Sequence, residues 1–108
     1  MLARFAGTTG ASVHPPLVDT WCFCGANLST TLGYRWAPGQ SLAQAPSAEI
    51  QVAGDGNQEA QTNSACRVWQ RTNVGHAFAY REFPGVEHFA MTIDKAVLGA
   101  VLDVLRAA

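Results

Sequence analysis

From residue 48 onward, the sequence alternates twice between a strand-like and a helix-like pattern. Residues 48–53 place two apolar side chains between polar neighbours, and apolar residues at helical spacing follow over 58–71. Residues 77–83 again favour a strand, and residues 92–106 favour a second helix. Two strands joined by a helix imply a parallel pair with a right-handed crossover. The pattern therefore predicts an α/β fold built from two strand–helix units.

The last helix has the clearest period in the chain. Thr92 is a suitable N-cap, Asp94 falls in the first turn, and Arg106 falls in the last turn. The apolar residues predicted to share one stripe are Ile93, Val97, Ala100, Val101, Val104 and Leu105. We expect this stripe to pack on the sheet.

Composition excludes several classes of protein. With 108 residues, 48% hydrophobic and 14% charged, the chain is long enough for one globular domain. A net charge of -1 gives no basic surface for nucleic acid and no polybasic patch for a membrane. Residues 7–10 break any signal-peptide core, and the apolar stretch 96–105 is too short to span a bilayer. We expect a cytoplasmic location.

Residues 1–47 give no confident element. Gly, Ser, Thr, Pro and Ala dominate this segment, with several Pro and Gly breakers. Residues 17–24 fit a short strand or a buried turn, and residues 27–34 fit a short helix. We expect one partial domain over 1–108, with an irregular, loop-rich segment before residue 48.

Two residues with catalytic potential follow the two predicted strands. Asp55 follows the first and His88 follows the second, 33 positions later. The C-terminal ends of parallel strands meet at one edge of a sheet, so the two side chains are expected to lie close together. A buried carboxylate that accepts the Nδ1–H of an imidazole prepares it for acyl transfer. Plain structural readings remain: Asp55 suits a Gly-Asp-Gly-Asn turn, and His88 suits an ordinary loop.

The segments around these two residues resemble the C-terminal end of an α/β-hydrolase. They are residues 53–59, Asn63 with Ser64, Trp69, and Phe83-Pro84-Gly85-Val86-Glu87-His88-Phe89. The sequence is most similar to the esterase and kynurenine-formamidase-like branch, with its arylformamidase and carboxylesterase relatives. The resemblance implies that Asp55 is the triad acid and His88 the triad base. It also implies hydrolysis of small ester or aryl formamide substrates, without a cofactor or a metal.

The nucleophile of that family is missing from this sequence. Family members carry it as G-x-S-x-G on a strand-to-helix elbow, with a His-Gly-Gly loop earlier in the chain. None of the five serines has the flanking glycines, and the nearest approach is Gly10-Ala11-Ser12-Val13-His14. We therefore expect a hydrolase fragment with little or no turnover of its own.

Two other functions stay open at this stage. The first is a non-catalytic α/β interaction module that self-associates through an exposed sheet edge. The second is a small thiol or metal protein centred on Cys22 and Cys24, together with Cys66, His14 and His76. Three cysteines do not form a disulfide framework, so buried structural thiols are the simpler expectation.

Overall fold

The computed structural model describes residues 14–108, so the predictions for residues 1–13, including Ser12, lie outside the described part. The strands are β1 (Thr20–Ala26), β2 (Leu28–Arg35), β3 (Ala48–Gly54) and β4 (Phe78–Pro84). The α-helices are α1 (Ala60–Asn63), α2 (Trp69–Thr72) and α3 (Lys95–Ala107), with 3₁₀ turns at Ala65–Val68 and His88–Thr92. None of the helices in the described part is long and apolar enough to cross a membrane.

The described chain divides into two compact units. One combines residues 14–22 with 66–80, and the other combines residues 23–65 with 81–108. The prediction of one partial domain did not anticipate this division. The candidate site lies within the second unit.

β2 and β3 form an antiparallel hairpin in the second unit. Its register pairs Leu28 with Gly54 and Arg35 with Ala48, and a bulge interrupts it between Thr31 and Gly33. The helix predicted over 27–34 is therefore wrong, because these residues pair with β3 as a strand. The strand predicted over 48–53 is confirmed, but its partner is antiparallel.

The parallel strand pair consists of β1 and β4. The N–H of Thr20 donates to the carbonyl of Ala77 at 2.9 Å, and the N–H of Gly85 donates to that of Ala26 at 2.8 Å. The strands thus start together and end together, which gives the fold its small parallel sheet. The expectation of an irregular segment before residue 48 is wrong for β2, whereas β1 confirms the short strand that was one of two alternatives for residues 17–24.

The core of the second unit is small and centred on β4 and α3. Phe83, Val97 and Ala100 are buried, and the partly buried Phe23, Val86 and Met91 pack against them. The Phe23 and Phe83 rings meet edge to face, with centroids 5.4 Å apart. Burial of these apolar side chains holds the start of α3 against the end of β4.

α3 starts later and buries a narrower face than the sequence predicts. Its N-cap is Asp94, whose side chain accepts from the N–H groups of Ala96 and Val97, while the Thr92 hydroxyl bonds the carbonyl of Phe89. Val97 and Ala100 are buried, but the predicted stripe members Ile93, Val101 and Leu105 are exposed.

The helix predicted over 58–71 is broken into three short pieces. The first piece ends at residues 62–64, whose side chains form hydrogen bonds with groups three to five residues earlier in the chain. The Asn63 amide donates to the carbonyl of Gln58, and the Ser64 hydroxyl to that of Gln61. Such local bonds compete with a continuous helix. The end of the helical region at residue 73 agrees with the prediction.

Cys22 and Cys66 form a disulfide in the first unit, with Cα atoms 6.7 Å apart. The expectation that these cysteines are buried free thiols is wrong, because the fold brings the two together from positions 44 apart in the sequence. Cys24 is buried and takes no part in this disulfide. In the first unit, the side chain of buried Asn73 accepts the N–H of Leu17 and donates to the carbonyl of Val18.

Candidate active site

Asp55 sits in a tight turn directly after β3. Its Oδ1 accepts the backbone N–H groups of Asn57 at 3.0 Å and Gln58 at 2.7 Å. Its own N–H donates to the carbonyl of Gln58 at 3.0 Å. Gly56 has φ of +90°, a left-handed conformation that suits glycine. The turn therefore fixes one carboxylate oxygen and leaves the other to project.

His88 follows a second turn, which begins at the end of β4. Gly85 has φ of +79°, and the N–H of Val86 donates to the carbonyl of Phe83 at 3.2 Å. Glu87 caps the 3₁₀ turn that carries His88 by accepting the N–H of Phe89. The backbone N–H of His88 donates to the carbonyl of Asp55 at 2.9 Å. The two turns are thus joined through their backbones as well as their side chains.

The structure brings the two predicted site residues into direct contact. Nδ1 of His88 lies 2.7 Å from Oδ2 of Asp55. The Asp55 side chain is 2% exposed, whereas that of His88 is 33% exposed. Because an ionised carboxylate can only accept, Nδ1 carries the shared proton and Nε2 carries the lone pair. This arrangement orients the imidazole as a base at Nε2.

Asp55 stays ionised despite its burial. Burial raises the pKa of Asp55, but hydrogen bonds lower it more, in the order Gln58 N–H, His88 imidazole, Asn57 N–H and Asn63 side chain. The net result is a pKa lowered from 3.8 to about 2. A negative charge therefore faces Nδ1 at neutral pH and stabilises a proton gained at Nε2.

The imidazole of His88 is partly exposed, since 33% of the side chain is accessible to solvent. The hydrogen bond of this ring within the described residues is made by Nδ1 and not by Nε2. The ring of Phe89 stands edge-on to the imidazole at 5.0 Å and is itself 68% exposed. A hydroxyl group from outside the described chain can therefore approach Nε2 beside an apolar ring.

The other carboxylates near the site have different partners. Glu87 accepts the N–H of Phe89 at 3.1 Å, so it is not the acid that meets the imidazole. Glu59 is the N-cap residue of α1, and its side chain accepts the hydroxyl of Thr62. Asp55 is the carboxylate that the geometry pairs with His88.

No described serine contacts His88. Ser29 donates to Gln51, Ser47 to the carbonyl of Arg35, and Ser64 to the carbonyl of Gln61. Ser41 accepts the N–H of Ala43. Within residues 14–108 the acid and the base are present without a nucleophile beside them.

The cysteine and histidine residues do not gather elsewhere. In the described part of the chain, no three His, Cys, Asp or Glu side chains are arranged to hold a metal ion. Cys22 is bonded to Cys66, and His76 lies 3.9 Å from Asp19. The geometry therefore favours the Asp55–His88 pair over the cysteines as the candidate site.

Sequence reasoning missed Thr30, whose hydroxyl accepts the N–H of Gly56 at 3.0 Å. The segment before residue 48 was predicted to be irregular, so nothing placed Thr30 beside the Asp55 turn. The alternation of Leu28, Thr30 and Leu32 with their neighbours in the sequence is the signal that favours a strand here.

Comparison with known proteins adds no relative: no protein-family model and no curated protein matches this chain. Membership of a hydrolase family thus stays a prediction from the residues quoted above. The geometry of the Asp55–His88 pair stands independently of that resemblance.

Proposed function

We propose that this chain is part of an α/β-hydrolase that cleaves carboxylic esters or aryl formamides, with Asp55 orienting His88 as its general base. The observation that supports this most is the 2.7 Å contact between His88 Nδ1 and Asp55 Oδ2. It joins a buried, ionised carboxylate to a partly exposed imidazole. The His76–Asp19 pair lacks this combination, because its atoms lie 3.9 Å apart and both side chains are exposed.

The proposed mechanism follows from the two faces of the imidazole. Nε2 takes the proton of an attacking hydroxyl as the hydroxyl oxygen bonds the acyl carbon. The Asp55 carboxylate stabilises the imidazolium that results, and it remains ionised throughout. The imidazolium then gives its proton to the departing alcohol or amine, which restores His88.

The nucleophilic hydroxyl comes from polypeptide outside this sequence. None of the five serines lies in a G-x-S-x-G context, and those in the described part do not contact His88. Loss of the nucleophile costs a factor on the order of 10⁶ in related triad enzymes. We therefore expect little or no turnover from this chain alone.

A first experiment tests for a nucleophile within the chain. The folded protein, His88→Ala and the control His76→Ala are assayed with short p-nitrophenyl esters and an aryl formamide, with a fluorophosphonate probe in parallel. We expect no turnover and no labelling in all three. A labelled serine with activity that disappears in His88→Ala would show that the chain carries its own nucleophile.

A second experiment supplies the missing hydroxyl. Trifluoroethanol is added to the p-nitrophenyl ester, because its attack needs a base to remove its proton. We expect faster formation of the trifluoroethyl ester with the native chain and with His76→Ala than with His88→Ala, by at most about 10²-fold. Equal rates for the native chain and His88→Ala would refute His88 as a usable base.

One observation favours a second candidate, a self-associating module. Leu98, Val101, Leu102 and Leu105 are all exposed on α3 at the spacing of one helical stripe. If a second copy covers this stripe, Leu102→Glu converts a dimer to a monomer in size-exclusion chromatography, whereas the control Asp103→Lys does not. A native chain that is monomeric at high concentration removes this candidate.

The cytoplasmic location stays a prediction, and the disulfide makes it testable. Disulfides such as Cys22–Cys66 persist in oxidising compartments and are rare in the cytosol. A cytosolic protein should therefore show three alkylatable cysteines after rapid lysis into a thiol-trapping reagent and denaturation. Trapping of Cys24 alone would place the protein in an oxidising compartment.

A further inference from the structure

Thr30 and Asp55 are the two largest fully buried side chains of the described residues, and they are neighbours. Thr30 lies on β2 and is 1% exposed. Its hydroxyl donates to the carbonyl of Leu28 at 3.1 Å and accepts the N–H of Gly56 at 3.0 Å. The hydroxyl thus joins the hairpin to the turn that carries Asp55.

The space around this hydroxyl is closed on the other side by Gly54. A Cβ on Gly54 would lie 2.5 Å from the Thr30 hydroxyl and would overlap the carbonyl of Gln58. The turn therefore packs directly on the Thr30 side chain, without room for a water molecule between them. Without Thr30 the N–H of Gly56 would lose its partner at this contact.

We propose that Thr30 is a positioning residue for the Asp55–His88 pair, an inference that rests on the function proposed above. Gly56 follows Asp55 directly, so holding its N–H fixes the direction in which the carboxylate leaves the turn. Oδ2 then meets Nδ1 of His88 at 2.7 Å. In this way the hairpin helps to position the pair, although the side-chain hydrogen bond to His88 comes from Asp55 and not from β2 or β3.

The bonds from Thr30 and His88 hold the turn from opposite ends. Thr30 fixes Gly56, and the backbone N–H of His88 fixes the carbonyl of Asp55 at 2.9 Å. The internal bonds from Asn57 and Gln58 to Oδ1 keep the turn closed. The backbone of Leu28 places the turn beside β2 by pairing with Gly54 and bridging Asp55, and Thr30 adds a side-chain bond from β2 to Gly56.

The test compares Thr30→Val, which removes the hydroxyl at nearly constant volume, with Thr30→Ser, which keeps it. Thr31→Val is the matched control, since Thr31 lies on the same strand with its hydroxyl bonded to exposed Glu49. NMR measures hydrogen exchange of the Gly56 amide and of His88 Nδ1–H. We expect both to exchange at least about tenfold faster in Thr30→Val and to stay near native in Thr30→Ser and Thr31→Val.

A folded Thr30→Val with native exchange at His88 Nδ1–H would overturn the proposal. If Thr30→Val does not fold, hydrogen exchange of the Gly56 amide is measured in the native chain. Exchange as fast as that of an exposed turn amide would also overturn the proposal. These readouts do not depend on turnover. Suppose that His88→Ala does not slow formation of the trifluoroethyl ester, but that Thr30→Val speeds exchange at Gly56 and His88. That result would refute the proposed function and would still support the positioning role of Thr30.

Discussion

Replacing Asp55 by Asn is expected to move the proton of the His88 imidazole from Nδ1 to Nε2. Oδ1 of Asp55 accepts two backbone N–H groups, from Asn57 and Gln58. If the amide nitrogen of Asn took the position of Oδ1, it would face two N–H donors. The single amide oxygen of Asn must therefore occupy the Oδ1 position. The NH₂ group then faces His88, and Nδ1 must become an acceptor. The proton moves to Nε2, which can no longer act as a base.

The same substitution removes a charge that stabilises the fold. The pKa of Asp55 is lowered from 3.8 to about 2, which corresponds to about 2 kcal/mol of unfolding free energy at neutral pH. Because the pKa is depressed, this contribution is complete above about pH 4 and is lost as the pH falls towards 2. Asp55→Asn should therefore unfold about 10 °C lower at pH 7 and lack this part of the pH dependence.

Nitrogen-15 NMR reports the tautomer, and thermal unfolding from pH 7 to pH 2 reports the stability. Asp103→Asn is the control, because it removes an exposed carboxylate from α3 and should leave both measurements near native. A folded Asp55→Asn that keeps the Nδ1–H tautomer would refute the assignment of the amide oxygen. Unchanged stability at pH 7 would refute the stabilising role of the charge.

Three further perturbations test separate features of the fold. Reducing Cys22–Cys66, which closes a 44-residue separation, should lower the free energy of unfolding by about 4 kcal/mol in urea titrations. The Cys22→Ala/Cys66→Ala variant should have the same free energy of unfolding as the reduced protein. Reduction that leaves this free energy unchanged would contradict the presence of the disulfide. Gly54→Ala should lower the free energy of unfolding by about 2 kcal/mol or more, because the added Cβ has no space. The control Gly99→Ala, at an open position within α3, should raise it by up to about 1 kcal/mol. Equal effects of the two substitutions would contradict the packing of the turn on Thr30. Asp94→Ala should lose about 1 kcal/mol in thermal unfolding, since two N–H groups lose their cap, while Asp103→Ala on the same helix should not.

Sequence patterns predicted the elements whose residues alternate or repeat clearly. β3 and β4 follow from apolar residues set between polar ones, and α3 from its period. The closeness of Asp55 and His88 was also predicted, but for an incomplete reason. The parallel partner of β4 is β1, and Asp55 reaches its place at the end of an antiparallel hairpin.

The remaining features depend on contacts between distant residues. β2 contains Gly33, a residue type that is depleted in strands, and pairing with β3 stabilises its strand conformation. The Cys22–Cys66 bond joins residues 44 positions apart, and an odd cysteine count gives no indication of which two meet. The disulfide pairing cannot be read from a local window of sequence, whereas β2 leaves only a short alternating pattern there.

The hairpin leaves and rejoins the rest of its unit at nearly the same point, since Leu28 pairs with Gly54 and also bridges Asp55. In topology it has the form of an insertion between β1 and the Asp55 turn. Its far end, residues 36–47, is held by local bonds such as the one that Trp36 Nε1 donates to the carbonyl of Gln44, so we expect changes in length there to leave the Asp55–His88 contact unchanged. A homologue that ran directly from Asn27 to Asp55 would have to recruit a new acceptor for the N–H of Gly56, because the excised segment includes Thr30.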